Sequence, residues 1–360
     1  VSWFQPRSAL FWVYCAAVVA GPVLFFLQAF GTVRYGLGPA LAAIPITALT
    51  LLLFGRILFD LDVFRARRHL VAPMVMGFTW GATVWPGLSL WANDHVTSVV
   101  TNLGGDEFAA NWQASIAAPI DEELIKAIGI AVVAVLFRAR LSRPMHGLVL
   151  GGAVGLGAQI SENCLYSVQT AVSSPQSPVF DVLFVAVLRL VTAFTSHWAM
   201  SALAGVGIVV LLVRTDKPWS WRLGFFGLFY LLAVGMHAVF DAPRPSSGPS
   251  WLVVFLPMIV DLVIFAIAYS WVLRTERDWF RALIADPMAR TIGTEAGLSN
   301  LLTGPLRRKA RAALRHSTGM SRRAAHRYEH QLIDRIGALP VGAGLPWSAP
   351  GAERASYRQS

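Results

Sequence analysis

The chain has 360 residues, of which 55% are hydrophobic and only 14% charged. A soluble domain carries roughly 25% charged residues, so the composition excludes an ordinary soluble protein, and a mean hydropathy of +0.56 points to a polytopic membrane protein. The net charge of +10 is unevenly placed: Arg274–Ser360 holds fifteen Lys/Arg against seven Asp/Glu, and the body is nearly neutral.

Eight apolar segments are long enough to span, at about 20 residues each. They lie near Ala9–Phe30, Leu37–Phe59, Leu70–Ala92, Ser115–Phe137, Gly147–Ala171, Leu183–Val213, Leu223–Asp241 and Trp251–Leu273. The first lacks a small-residue cleavage site and reads as a retained helix. Cys15 and Cys164 sit inside apolar runs and read as small core residues, with no disulfide framework. The connections alternate in charge. Arg56, Arg65, Arg67 and Arg68 fill the second, Arg138, Arg140 and Arg143 the fourth, and Arg214, Lys217 and Arg222 the sixth. The third, Asn93–Gln113, holds Asp94, Asp106 and Glu107 without Lys or Arg, and only Arg34 and Arg244 interrupt the pattern. The positive-inside rule then predicts cytoplasmic termini and even-numbered connections in a multi-pass protein of the cell membrane. Trp91, Trp112, Trp219, Trp221, Trp251 and Trp271 fall near the interfaces, as an aromatic belt would.

The expected fold is therefore all-α, a bundle of about eight transmembrane helices over 1–273 with a basic cytoplasmic C-terminal tail over 274–339. In that tail Gly304–His316 and Ser321–Leu339 read as basic helices. Such segments lie on anionic lipid, each cation contributing roughly 1 kcal/mol. No recognition motif supports a nucleic-acid partner. His316, His326 and His330 lack metal-site spacing and read as solvated, and the Gly/Pro/Ala/Ser-rich stretch 340–360 reads as disordered.

Against this apolar background, Asp121, Glu122, Glu123 and Lys126 open the fourth segment. A charge at mid-bilayer costs about 2.5–3.5 kcal/mol on insertion scales and usually faces a protein interior. Glu122 and Lys126 share a helix face at i, i+4, with Glu123 turned about 100° away, so one carboxylate can pair while the other stays free. In the fifth segment Gly147, Gly151 and Gly155 form a stripe that lets another helix approach closely, and Glu162 lies nearly on the same face. Glu162-Asn163, with Tyr166 one turn on, His197, with Arg189 two turns earlier, and His237 with Asp241 complete the polar insertions. Counted from the nearest basic border, Glu122, Glu162, His197 and His237 all stand 15 to 19 residues deep. At 1.5 Å per residue that is about 22–28 Å, one layer in the outer half of the membrane.

Carboxylates and imidazoles sharing a layer, with no evident nucleophile pairing, point to activated water. A glutamate held out of water suits a general base, and an imidazole or protonated partner would steady the oxyanion. The same residue types also suit a divalent metal, zinc before others, held by Glu122, Glu162, His197 and His237. Spacing alone leaves both open: no cofactor, or one metal ion.

At these residues the chain resembles the PrsW family of intramembrane proteases, distant relatives of the CAAX prenyl endopeptidases. An AP-x-x-EE-x-x-K pattern is matched by Ala118, Pro119, Glu122, Glu123 and Lys126. A glycine-led run ending E-N-x-x-Y is matched by Gly155, Gly157, Glu162, Asn163 and Tyr166, followed by His197 and by the pair His237 and Asp241. Where the family has Gly-Phe-Ala this chain has Gly157-Ala158-Gln159, and the missing aromatic bears on substrate fit. The resemblance spans 115–241 as a protease-like core. It implies hydrolysis of a membrane-anchored protein, typically an anti-sigma factor, near the outer face of the membrane in regulated proteolysis. Carried over residue by residue, it makes Glu122 or Glu123 the base, assisted by Glu162, His197, His237 and Asp241, with Lys126 fixing one glutamate in its charged form. Asn163, Tyr166 and Arg189 are supporting residues. A proton-coupled transporter is a competing reading that predicts repeated halves, which are not seen. A catalytically silent scaffold is the other, and no motif position has been replaced.

Overall fold

The computed structural model describes residues 3–243 and 250–339, with side chains for all of these except 250–253. Within them the chain is entirely helical, without strands. Helix α1 (Ala9–Ala40) passes through a 3-10 turn at Leu41–Ala43 into α2 (Ile44–Leu61). Helix α3 (Val71–Thr79) continues through a π-turn at Trp80–Val84 into α4 (Trp85–Gly104), and α5 (Asp106–Leu136) follows at once. Then come α6 (Pro144–Ser173), α7 (Pro178–Thr192), α8 (His197–Val213), α9 (Trp219–Phe240) and α10 (Ser250–Ala285). The tail forms α11 (Glu295–Ser299), α12 (Gly304–Thr318) and α13 (Arg322–Gly337).

The local chemistry explains several boundaries. Ser8 caps α1 by accepting from the Phe11 amide, and α6 and α7 each begin on a proline, whose missing amide costs nothing there. The expected acidic connection Asn93–Gln113 is instead helical on both sides of Gly105, whose φ of 81° only glycine adopts readily. Asp106 and Glu107 then occupy the first turn of α5, where the helix dipole favours anions.

Among the described residues, four stretches are long and apolar enough to cross a membrane: Ala9–Leu61, Pro178–Val213, Trp219–Phe240 and Val254–Ala285. The first takes in α1 and α2, which the sequence reads as two spans. Helices α3 to α6, also expected to span, are broken by a π-turn or carry buried polar groups. Arg244 and the side chain of Trp251 lie outside the described residues, as does 340–360.

Helix α6 is the axis of the bundle, and the α7–α8 path runs antiparallel along it. Val182 packs with Ala171, Arg189 meets Glu162, and Gln159 donates to the Ala193 carbonyl. Below that level a Cβ added at Gly155 would stand 2.1 Å from the His197 carbonyl oxygen, at Gly151 2.0 Å from that of Ser201, and at Gly147 2.2 Å from that of Gly205. The expected glycine stripe is therefore real, and its contact brings the backbone of His197 against α6 two turns below Glu162. At the far end Arg138 and Arg222 donate to the carbonyls of Leu212 and Leu211, capping α8 with cations where its dipole is negative.

The tail is docked rather than free. Trp279, Phe280, Leu283 and Ile284 of α10 bury against Phe64 and against Ile333 and Ile336 of α13. Asp334 pairs with Arg65 at 2.8 Å and Arg68 at 3.4 Å. The expectation of solvated histidines holds for His316, which is exposed. His330 departs from it: α13 folds back on the α2–α3 segment, where its Nδ1 accepts from Arg65 at 2.9 Å.

Candidate active site

The buried end of α5 supplies the first wall. Lys126 donates to Glu123 Oε1 at 2.6 Å, and His237 Nδ1 of α9 lies 2.9 Å from the same oxygen. All three side chains are within 4% of complete burial. Glu122 stands apart from this knot: its Oε2 is 3.8 Å from Lys126 Nζ and 4.0 Å from His237 Nε2, and has no hydrogen-bond partner. Its other oxygen accepts from Asn93 of α4 at 3.3 Å. The spacing left one carboxylate to pair and the other free; the structure sets Lys126 closest to Glu123, with Glu122 at a looser 3.8 Å ion-pair distance. Both i+3 and i+4 neighbours are within reach on a helix, and His237 arriving from α9 draws the charge to Glu123.

Helices α6, α7 and α8 supply the second wall. His197 Nε2 lies 2.8 Å from Glu162 Oε2, and His197 Nδ1 receives the Lys126 ammonium at 2.8 Å. An ammonium only donates, so His197 carries its proton on Nε2 and gives it to Glu162. Arg189 binds the whole E-N-x-x-Y run: it pairs with Glu162, donates from Nε to Asn163 Oδ1 at 2.7 Å, and lies 4.2 Å over the Tyr166 ring. Asp241 approaches His237 Nε2 at 3.3 Å, and the two imidazoles meet edge to face with centroids 5.2 Å apart. Asp241 and Glu162 retain 28% and 15% side-chain exposure and Tyr166 is exposed, so the cluster opens on that side.

Every residue that the sequence placed in the site thus falls in one connected cluster. One ligand atom from each of Glu122, His197 and His237 can be chosen so that all three lie within 4.8 Å of one another. Glu162, the fourth ligand expected from sequence, is instead engaged by Arg189 and His197. The triad fits a divalent metal on its chemistry. One carboxylate and two imidazoles are a donor set of catalytic zinc sites. Glu122 Oε2 is a buried acceptor without a partner, and His237 donates its Nδ1 proton to Glu123, leaving Nε2 as the ligand nitrogen. On His197 the nitrogen left for a ligand is Nδ1, which Lys126 holds.

Sequence reasoning missed three members. Asn93 was assigned to a connection, and only the continuation of α4 brings it to Glu122. Trp85 packs on the His197 ring at 5.6 Å and clusters with Ile125 and Ala158. It therefore stands beside the position where the resemblance expects an aromatic. Asp261 of α10 is completely buried, and neither carboxylate oxygen has a hydrogen-bond partner among the described residues. An ionisable residue inside the last apolar segment was the signal for it.

A family model described as PrsW family intramembrane metalloprotease matches residues 71–271, more than half of the chain. Neither the curated proteins nor the solved structures yield a match. The matched stretch runs from the start of α3 into α10 and takes in the whole cluster.

Proposed function

The chain belongs to the PrsW family of intramembrane metalloproteases, and from that premise we propose that Glu122 activates the water that hydrolyses a peptide bond of a membrane-anchored protein. The observation that carries this is the contrast between the two glutamates: Glu123 is hydrogen-bonded by Lys126 and His237, while Glu122 Oε2 is buried without a hydrogen bond, 3.8 Å from Lys126 and 4.0 Å from His237. Glu122 takes the water proton as the oxygen attacks the carbonyl and returns it to the leaving amide nitrogen. Lys126 and the His237 edge supply positive potential where the oxyanion develops. Glu162, itself paired with Arg189, holds His197 in one tautomer and orientation, as Glu123 holds His237 through Nδ1. In the alternative arrangement a divalent ion held by Glu122, His197 and His237 would supply Lewis-acid polarisation of the scissile carbonyl, and Glu122 would serve as a ligand in place of its base role.

The substrate class that suits this site is a single-span protein of the anti-sigma-factor kind, cut near the outer face, with the exposed Tyr166 and Asp241 side as its entrance. The chain is read as a multi-pass protein of the cell membrane with about eight crossings and cytoplasmic termini. Two contacts support this reading: Gly36 of α1 lies against Val168 near one end of α6, and Leu58 of α2 against Gly152 nearer the other, so α1 and α2 run oppositely along it. The bundle is read as 1–273 with its protease core at 115–241, and 274–339 as a cytoplasmic tail facing anionic lipid.

The test is cleavage of a panel of single-span membrane proteins by the full-length protein in lipid, beside Glu122→Gln, Glu162→Gln and His237→Ala, with and without chelator. Cleavage by wild type that all three variants lose supports the reading. Loss on chelation, restored by zinc, replaces the base role of Glu122 with a ligand role in the Glu122, His197 and His237 triad. Variants that cut as well as wild type overturn it.

A further inference from the structure

A second polar cavity, of about 520 Å³, opens at the end of the bundle where the basic connections meet the tail. Its wall includes Arg65 and Arg68 from the α2–α3 segment, Arg140 and Arg143 from the α5–α6 segment, Trp279 of α10 and Asp334 of α13. Asp334 is already shared by Arg65 and Arg68, at 2.8 and 3.4 Å. Arg143 is 94% buried, its Nε pairs with Glu276 at 3.1 Å, and its guanidinium stacks 3.5 Å over the Trp279 ring. Among the described residues, Arg65 and Arg68 share the Asp334 carboxylate and Arg143 takes Glu276.

The wall is built in advance of any ligand. The buried Asp62 carboxylate accepts from the amides of Ala66 at 2.7 Å and Arg67 at 2.9 Å, and so holds Arg65 at φ 58°, a conformation uncommon for any residue but glycine. His69 in the wall is pushed below its ordinary range by burial first and then by Arg68 and Arg143.

An array of planar, fixed guanidiniums is the donor set that recognises phosphate by paired hydrogen bonds. The volume lies in the usual range of ligand sites, about 300–1,000 Å³. It therefore leaves room for a body beyond one phosphate. We propose that this cavity binds a phosphate-bearing anion through Arg65, Arg68 and Arg143, tying the α2–α3 and α5–α6 segments to the tail. The anion is a phospholipid headgroup or a soluble phosphate compound. The site is separate from the exposed arginines Arg308, Arg315 and Arg322 between α12 and α13, which attract any anionic surface. It does not depend on the catalytic reading.

The test uses the full-length protein in phosphatidylcholine nanodiscs. In one arm inorganic pyrophosphate is titrated calorimetrically at constant ionic strength against chloride. In the other, dioleoyl phosphatidic acid is included in the disc and its retention is counted by native mass spectrometry. Wild type is expected to bind at least one probe, with Arg68→Glu weakening it tenfold or more and Arg322→Glu changing it less than twofold. Arg68 is half exposed, so the variant is expected to fold, and Arg68→Gln is the milder second substitution. Pyrophosphate alone identifies a soluble ligand, and phosphatidic acid alone a headgroup; either supports the site. Binding of neither probe overturns it, as does an Arg322→Glu loss equal to that of Arg68→Glu.

Discussion

Lys126 donates to His197 Nδ1 at 2.8 Å across the interface of α5 and α8, and through that one bond it sets the tautomer in which His197 serves Glu162. The same ammonium holds Glu123 at 2.6 Å, so a single buried cation orders both walls of the site. Lys126→Met should lower single-turnover cleavage by about 10²-fold or more, the usual scale of a misassembled acid–base array. Lys126→Arg should not restore it, because a planar fork cannot reproduce a point donor between two walls.

The two adjacent glutamates should separate cleanly. Glu122→Gln leaves the Lys126–Glu123–His237 knot intact and is expected to unfold near the wild-type temperature while losing about 10²–10⁴ in cleavage rate. Glu123→Gln removes the closest counter-charge of a buried ammonium, leaving only Glu122 at 3.8 Å, and should destabilise by about 3–5 kcal/mol. Thermal unfolding in lipid, beside the cleavage assay, checks the pair; equal destabilisation by both would contradict the assignment.

Glycine at 151 is a packing requirement. A Cβ there meets the Ser201 carbonyl oxygen at 2.0 Å, whereas one at Gly31 meets nothing within 4 Å. Gly151→Ala should therefore cost about 1–3 kcal/mol by forcing α8 away from α6. It should also reduce cleavage through the His197–Glu162 contact one turn and more above, with Gly31→Ala as the silent control.

Docking of the tail should depend on pH in a defined direction. His330 titrates near 4 in the folded chain against an ordinary value of about 6.5, because burial and then the Arg65 guanidinium disfavour its cation. A depressed imidazole contributes stability that is fully present above about 6.5 and is lost as pH falls toward about 4. Hydrogen exchange of α13 should accelerate over that window, and His330→Gln should flatten the dependence. An unchanged profile in the variant would remove His330 as the cause.

Much of the site was legible one helix at a time. An ionisable residue in an apolar run is conspicuous, and counting from the basic borders placed Glu122, Glu162, His197 and His237 at one level, where the structure joins them in one cluster. The glycine stripe foretold which face of α6 another helix would touch, since only a residue without a side chain permits that approach. Membrane character, the helical class and the residue types of the chemistry followed from the sequence because they depend on composition and on the fixed period of a helix.

Partner choice was not legible, because helix geometry offers Lys126 two equivalent glutamates and says nothing about what arrives from elsewhere. His237 from α9 and His197 from α8 decided that Glu123 is bound and Glu122 is left open. The reach of Asn93 depended on α4 continuing to Gly105, and the grip of Arg189 on Asn163 and Tyr166 on α7 descending beside α6. The docked tail was hidden for the same reason. Its charges read as a surface helix, whereas Ile333 and Ile336 found an apolar partner in α10 that no local pattern announces.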